Sequence, residues 1–450
     1  MVRVTSKPEF SMPDKIAAPT TSIAPLLAVN FVGTLGFSIV TPFLVVLVTN
    51  WGGNAVIYGL LAATYSFFQL FGAPILGRWS DRVGRRRVLL FSQLGTLLSW
   101  GVFLFAFTVP DAAILRVESR WLGDFVLTLP LLIVFLARAA DGLTGGNISV
   151  SNAYLADITS EEDRSKNFGR MAVSSNLGFI FGPALAGLLG ATIWGEVLPV
   201  AAAFTISAVA LAMIRYGLAE VAPVKVTETL EQPTACDLYG QENKAAYEVQ
   251  TKRKNGPRTI LSLPNMPRLM AVNFLVMLGF SFFYVAFPVH AVTTLMWTAP
   301  EIGTYFAILS LAMVVVQGPV LSRLSKAFAD HRLMGIGGAS LALGFAALFM
   351  TTNVFVYGSL ILVAVGNGVM WPTFMATLSK STDSNLQGCV QGLAQSGGAL
   401  ASIAGLIAGG LMYVSLGPIL FVVAACVIAV SAGLAVSYRG PEVGTATAPR

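Results

Sequence analysis

The sequence predicts an all-α integral membrane protein, with twelve transmembrane helices in two pseudo-symmetric six-helix bundles. Three observations carry that prediction. Of 450 residues, 55% are hydrophobic and only 11% are charged, whereas a soluble domain carries about 25% charged residues. The apolar residues gather in runs of about the ~20 residues a helix needs to cross a bilayer. The second half of the chain also repeats features of the first.

The runs fall at about 23–49, 55–76, 88–109, 126–156, 168–190, 196–216, 269–295, 301–322, 333–352, 354–379, 388–414 and 417–438. Short loops separate them, with one long break. That break, 217–268, is polar and holds Pro223, Pro233, Pro257 and the basic run Lys252-Arg253-Lys254. It reads as a linker. The expected organisation is a polar tail over 1–22, a six-helix bundle over 23–216, the linker, a second bundle over 269–438 and a tail over 439–450. The first apolar run is too long for a signal-peptide core, so it reads as a retained span.

Orientation follows from the basic residues. Cytoplasmic loops of membrane proteins carry an excess of Lys and Arg. With the N-terminus in the cytoplasm, every one of the 28 Lys and Arg falls on a cytoplasmic segment except Arg116, Arg120 and Arg138. Both termini and the linker are therefore expected on the cytoplasmic side.

The repeat is legible residue by residue. Asn30-Phe31 followed by Leu35-Gly36-Phe37-Ser38 recurs 243 residues later as Asn273-Phe274 and Leu278-Gly279-Phe280-Ser281. At a shift of 245, Pro74, Arg78, Ser80 and Arg87 meet Pro319, Arg323, Ser325 and Arg332. Parallel repeats about an axis normal to the membrane place a substrate site near the bilayer midplane, between the halves.

Several chemistries are excluded. Cys236, Cys389 and Cys426 are scattered, without ligand or redox-motif spacing. There are two histidines and no zinc-protease, phosphate-loop or nucleophile-elbow motif. No enzyme, metal site or cofactor is expected. The net charge of +6 is accounted for by membrane orientation, not by nucleic acid.

The loop between the second and third runs is Gly77-Arg78-Trp79-Ser80-Asp81-Arg82-Val83-Gly84-Arg85-Arg86-Arg87. Gly84 permits a tight turn. Arg85, Arg86 and Arg87 suffice as a topology signal, but Asp81 calls for another role. A carboxylate there can sit on a helix N-terminus, where unpaired N–H groups favour anions, and so latch the two halves together. The second-half copy carries Lys326 at the Asp81 position and Asp330 at the Arg85 position, so the pattern reads as lost there and the latch as one-sided.

This loop resembles the signature of the major facilitator superfamily. Tyr58-Gly59-Leu60-Leu61 through Gln69, Ala73-Pro74 with Leu76-Gly77, Arg138 with Gly142 and Gly145, and Ala153-Tyr154 with Ala156-Asp157-Ile158-Thr159 resemble its tetracycline-resistance-type efflux branch. Asp163-Arg164 and Phe168-Gly169 follow at the family spacing. Gly178, Gly182-Pro183 and Gly187 resemble the antiporter motif of the fifth span, and Gln387-Gly388 with Gln391-Gly392 the start of the eleventh. The resemblance covers nearly the whole chain. It implies a major facilitator fold and a cytoplasmic gate of Gly77, Asp81, Arg82, Gly84, Arg85, Arg86, Asp157 and Gly388. Within that gate it implies Asp81 contacting the eleventh span near Gly388 and Arg85 pairing with Asp157. It further implies a fifth span bent and packed against the other half through Gly178, Gly182, Pro183 and Gly187. Small residues at four-residue spacing allow such an approach, and Pro183 removes a backbone bond.

The fourth run holds the charges deepest in the apolar interior, Arg138 and Asp141. A charge at the bilayer centre costs at least ~3 kcal/mol. Three residues apart, the two share a helix face. An arginine neighbour favours the ionised carboxylate and desolvation the neutral one, so Asp141 is the candidate proton carrier and Arg138 its tuner. The sequence departs from the family here, which usually has a non-acidic residue, often Gln, at the Asp141 position. Tetracycline-type exporters also carry an acid in the first span, where this chain has Gly33. Candidate cavity residues are Asn30, Phe37, Gln69, Asn147, Asn176, Asn273, Phe280, Tyr284, Trp371, Gln391 and Gln395, polar or aromatic within apolar helices.

The expected function is a monomeric secondary transporter in a prokaryotic inner membrane, exporting small amphiphilic compounds in exchange for protons by alternating access. Its partners are the solute, protons and lipid. A metabolite or lipid facilitator or proton symporter, and a non-transporting receptor or scaffold, are the alternatives.

Overall fold

The computed structural model describes residues 22–145, 147–159, 161–220, 260–381 and 387–438. Its helices are α1 (Ala24–Ser38), α2 (Thr41–Asn50), α3 (Ala55–Val83), α4 (Arg85–Ala106), α5 (Leu129–Thr144), α6 (Asn147–Ile158), α7 (Glu161–Gly190), α8 (Val197–Gly217), α9 (Met266–Thr293), α10 (Ala299–Val315), α11 (Leu321–Ala327), α12 (Asp330–Ala347), α13 (Asn353–Lys380), α14 (Gln387–Leu416) and α15 (Ile419–Val436). Three spans are broken. α1 and α2 meet across Ile39-Val40, α5 and α6 across Gly145, and α10 runs into α11 through a π-helical turn, Val316–Val320, that contains Pro319. Such breaks survive at membrane depth where neighbouring groups re-satisfy the backbone.

Among the described residues, eleven spans are long and apolar enough to cross a membrane. The ninth span, α12, falls short because its 18 residues open with Asp330, His331 and Arg332. The perimeter is apolar, with Leu98, Leu136, Leu343 and Ile361 each more than 60% exposed. In water such a surface marks a buried interface or an aggregation site; around a helical bundle of this length it is a lipid-facing belt. Most of the expected linker, 221–259, lies outside the described residues.

The repeat is visible in the packing. α1 packs on α7 and α8 as α9 packs on α14 and α15, and α4 packs on α5 and α8 as α12 packs on α13 and α15. Equivalent asparagines perform the same task. Asn30 Nδ2 donates to Met171 O at 3.2 Å and Ser175 Oγ at 2.7 Å, tying α1 to α7. Asn273 Nδ2 donates to Ala394 O at 2.6 Å, tying α9 to α14. Ser38 seats against Gly182 of α7, and Ser281 against Gly405 of α14.

One element was not expected. The loop after α4 forms an antiparallel hairpin of β1 (Ala113–Val117) and β2 (Phe125–Thr128). It is anchored where Val126 N donates to Gly52 O at 2.8 Å and Thr128 Oγ1 to Trp51 O at 3.1 Å. Asn54 secures the same corner. Its carboxamide oxygen caps α3 by accepting from Val56 and Ile57 N–H, and its Nδ2 donates to Leu122 O at 2.8 Å. Strands of five and four residues beside long apolar runs leave only a weak alternation in the sequence.

The halves meet mainly through α3 against α14 and α7 against α10. On each pair the tight contacts lie at one end. A methyl group at Gly410 would lie 2.6 Å from Ala55 O, and one at Gly303 would lie 2.9 Å from Gly187 N and from Pro183 O. Ala55 opens α3 and Gly303 lies in the first turns of α10, while Gly410 and Gly187 lie in the last turns of α14 and α7. At the opposite end of the same pair, by the arginine-rich loop, methyl groups at Gly77 of α3 or Gly392 of α14 would meet nothing within 4 Å. Among the described residues, the tight contacts between the halves lie at the end remote from that loop, the closed end, and these glycines show none at the end beside it, the parted end.

Candidate functional site

The interior site is built where α5 stops. Four carbonyls are orphaned at a helix C-terminus, and here neighbouring helices supply the donors. Gln69 Nε2 of α3 donates to Gly145 O at 3.0 Å, and the Ser92 hydroxyl of α4 donates to Thr144 O. Gly142 fits under the Tyr65 carbonyl and Gly95 under Thr144, positions that admit no side chain. This clamp fixes the turn of α5 that carries Arg138 and Asp141.

Arg138 Nη1 lies 3.8 Å from Asp141 Oδ2, with both side chains more than nine-tenths buried. That separation is too long for a hydrogen bond, so the pair is held by charge. The guanidinium instead lies over aromatic faces, 4.8 Å from the Tyr65 ring centroid and 5.9 Å from that of Phe37, a cation–π arrangement. The Phe37 and Tyr65 rings are themselves 5.1 Å apart, and the Tyr65 hydroxyl accepts from Gln69 Nε2 at 3.0 Å. Thr96 of α4 is a polar neighbour of Asp141. Among the described residues, Nε and Nη1 of Arg138 are buried without a hydrogen-bond partner. Tyr58 of α3 is a further neighbour of Arg138, and α3 packs against α14 of the other half. Sequence reasoning singled out Arg138, Asp141, Phe37 and Gln69. It missed Tyr65 and Thr96, whose hydroxyls carry no signal beyond ordinary apolar-helix composition; Tyr58 it quoted only within the family resemblance.

The other cavity candidates are dispersed. Asn30 and Asn273 are committed to the tethers described above. Phe280 is buried in an aromatic cluster with Phe283, Tyr284 and Phe345. Tyr284 is 43% exposed and stacks on Phe306. Trp371 stacks on Phe374, and Asn176 and Gln395 are exposed. The side chains of Asn147 and Gln391 lie outside the described residues.

At the parted end, Gly84 adopts φ 111° between α3 and α4, a conformation that favours glycine. Arg85 is buried; its Nε donates to Asp157 Oδ2 at 2.8 Å and its Nη1 to Ser80 Oγ at 2.6 Å. A residue the sequence did not flag, Glu220, accepts from Arg86 N–H at 3.1 Å and lies 3.9 Å from Arg87 Nε. It supplies the cap that Gly84 cannot give to α4. Arg86 reaches on to the Ile214 and Arg215 carbonyls at the end of α8. Arg82 is exposed. The side chain of Asp81 and the surroundings of Gly388 lie outside the described residues.

The second-half loop corrects one expectation. Asp81 has no acidic counterpart there, but the Arg85 pairing has one with the charges exchanged: Lys380, at the end of α13, holds Asp330 at 2.8 Å. Asp330 stands at the Arg85 position and α13 is the counterpart of α5–α6, so the pair repeats Arg85–Asp157 with the charges exchanged. In α7, Gly178 and Gly182 pack against α1 of their own half, and Ser38 Oγ donates to Gly178 O at 2.9 Å. Pro183 and Gly187 are the members that meet the other half, at Gly303.

Comparison with known proteins adds to this geometry. Residues 26–262 and 269–450 match the family described as Major Facilitator Superfamily. Tetracycline resistance protein, class C, of Escherichia coli is 28% identical over 353 residues, 77% of this chain and 78% of that protein. Major facilitator superfamily domain-containing protein 10 of Mus musculus is 26% identical over 369 residues, 80% of this chain and 74% of that protein. The crystal structure of the human organic anion transporter MFSD10 (TETRAN) superposes with a TM-score of 0.64 at 19% identity, covering 94% of this chain and all of that one.

Proposed function

The chain belongs to the Major Facilitator Superfamily, a multi-pass membrane transporter and not an enzyme, and on that premise we propose that it is a proton-coupled antiporter that exports small amphiphilic compounds by alternating access. The observation that carries this reading is the buried Arg138–Asp141 pair inside the first half, held by charge at 3.8 Å without a hydrogen bond. The positive-inside bias puts the arginine-rich loop in the cytoplasm. The parted end then faces the cytoplasm and the end closed by Gly187, Gly303 and Gly410 faces outward, in the inner membrane of a prokaryote. The tetracycline resistance protein among its relatives supports a compound of that type as cargo.

Chemically, Asp141 needs two environments. Beside Arg138 it is an ionised carboxylate; with the guanidinium drawn onto Tyr65 and Phe37 it is a desolvated acid that holds a proton. A bulky apolar compound entering from the parted end occupies the aromatic side, crowds the guanidinium towards Asp141 and favours release of the proton. Outward release of the compound lets Asp141 take a proton again, which resets the pair. Asp81, Gly388 and the 217–268 linker act in this scheme as cytoplasmic gate and tether.

The test uses inverted vesicles that carry the protein and an imposed pH gradient. Tetracycline and other amphiphiles are expected to dissipate the gradient in vesicles with the wild-type protein and not in vesicles with Asp141→Asn. A gradient unmoved by every compound, with Asp141→Asn transporting normally, would contradict the reading.

A further inference from the structure

The buried guanidinium of Arg138 has more donors than the structure gives acceptors. Asp141 engages it by charge alone at 3.8 Å, the Tyr65 and Phe37 rings cover it with π-faces that accept no directed bond, and Nε and Nη1 have no hydrogen-bond partner among the described residues. An arginine cannot shed its proton to relieve this, and buried donors left unmade are costly. An oxygen acceptor is what the site lacks. The surrounding rings of Tyr65 and Phe37 give an apolar, aromatic frame, and α3, which carries Tyr65, packs against α14 of the other half.

We propose that Arg138 is the binding site for the carboxylate of an aromatic or apolar monocarboxylate, and that such an anion is carried together with a proton on Asp141. This rests on Asp141 being the proton site, and it adds a second class of cargo with the opposite coupling. The charge balance decides the coupling. One guanidinium neutralises one carboxylate. When the solute's carboxylate takes Arg138, Asp141 loses its counter-charge inside an apolar surround, and taking up a proton restores neutrality. No covalent bond changes; the load is one anion plus one proton. A neutral amphiphile leaves Arg138 to Asp141 and exchanges for the proton. The groups facing Asp141 are consistent with this. Arg138 is on its own helix, Tyr65 faces it from α3, Thr96 faces it from α4, and Tyr58 faces Arg138; none of them supplies a second fixed charge to replace the guanidinium.

The experiment uses the full-length protein in nanodiscs, with benzoate as probe and benzamide as its neutral counterpart, and reads affinity by calorimetry and proton exchange by a pH indicator in weak buffer. Benzoate is expected to bind at least about tenfold more tightly than benzamide, to take up about one proton per site, and to weaken as pH rises. Arg138→Lys keeps the charge but not the planar donor set and is expected to lose benzoate affinity at least about tenfold, and with it the preference for benzoate over benzamide. Asp141→Asn keeps Arg138 and is expected to bind benzoate without taking up a proton. Equal affinity for benzoate and benzamide, or benzoate binding to wild type with no proton taken up, overturns the proposal. The antiport reading is judged separately, by whether tetracycline binding releases a proton from the same preparation.

Discussion

Arg138 and Asp141 stand three residues apart in the sequence, and the structure sets them at ion-pair distance with both side chains buried. Removing one member of a buried pair costs about 3–5 kcal/mol because the other is left uncompensated. For Arg138→Met the uncompensated group is a carboxylate, which protonation relieves. The sign is therefore fixed: the variant's thermal stability recovers towards wild type as pH falls into and below the ordinary carboxylate range, and the deficit grows as pH rises above that range. A deficit independent of pH would mean that Arg138 acts by packing alone. The tethering asparagines behave differently. Asn30→Ala and Asn273→Ala each remove an interhelical bond worth about 0.6–2 kcal/mol in a membrane, and melting in detergent should fall modestly and to a similar degree in both.

Legibility at this scale was uneven. A charge in an apolar run is conspicuous, so Arg138 and Asp141 could be read directly. Asn30 and Asn273 were conspicuous too, and their repetition 243 residues apart was the mark of duplication. Their use as tethers needs the helix pairing, which polarity alone does not supply. Tyr65 and Thr96 were invisible because tyrosine and threonine are common in apolar helices without a site.

At the scale of the element, the loop Gly77–Arg87 and its copy show what duplication keeps. Arg85–Asp157 ties the start of α4 to the end of α6, and Asp330–Lys380 ties the start of α12 to the end of α13 with the charges reversed. The two differ in exposure: Arg85 is 6% exposed and Lys380 69%. An exposed pair is worth about 0–1 kcal/mol, so Lys380→Ala should barely move the melting temperature, whereas Asp157→Ala should lower it clearly by stranding a buried guanidinium. Glu220 is a further anchor. As the cap on α4, its replacement by alanine is expected to cost about 1 kcal/mol, read from the shift in melting. Sequence comparison of the loops, position against position, registered the loss of Asp81 and Arg85 from the copy. It could not register the exchange, because the compensating Lys380 lies 50 residues beyond Asp330.

For the whole molecule, the contact pattern makes the proposed cycle testable. The glycines at the closed end, Gly187 facing Gly303 and Gly410 facing Ala55, leave no room for a side chain. Gly303→Val is expected to wedge that end and shift the population towards the outward-open form, seen as greater reactivity of a cysteine placed at Ala299 and less of one placed at Lys326. Unchanged reactivity at both would mean that the close approach is packing and not a gate. Fold class, twelve spans and the internal repeat were all readable because a bilayer imposes span length and polarity on the sequence. The hairpin of 113–128 and the choice of closed end were not. They depend on contacts between segments far apart in the chain, and neither leaves a periodic trace.

The central claim is that protonation of Asp141 sets which end is open. It is tested most directly by spin-label distances between Val83 of α3 and Lys326 of α11, at the parted end, measured in proteoliposomes across pH. The account predicts that in wild type the distance distribution shifts with pH between a long and a short population. In Asp141→Asn it should hold one distribution at every pH. A wild-type distribution insensitive to pH, or an Asp141→Asn distribution that still follows it, would contradict the claim.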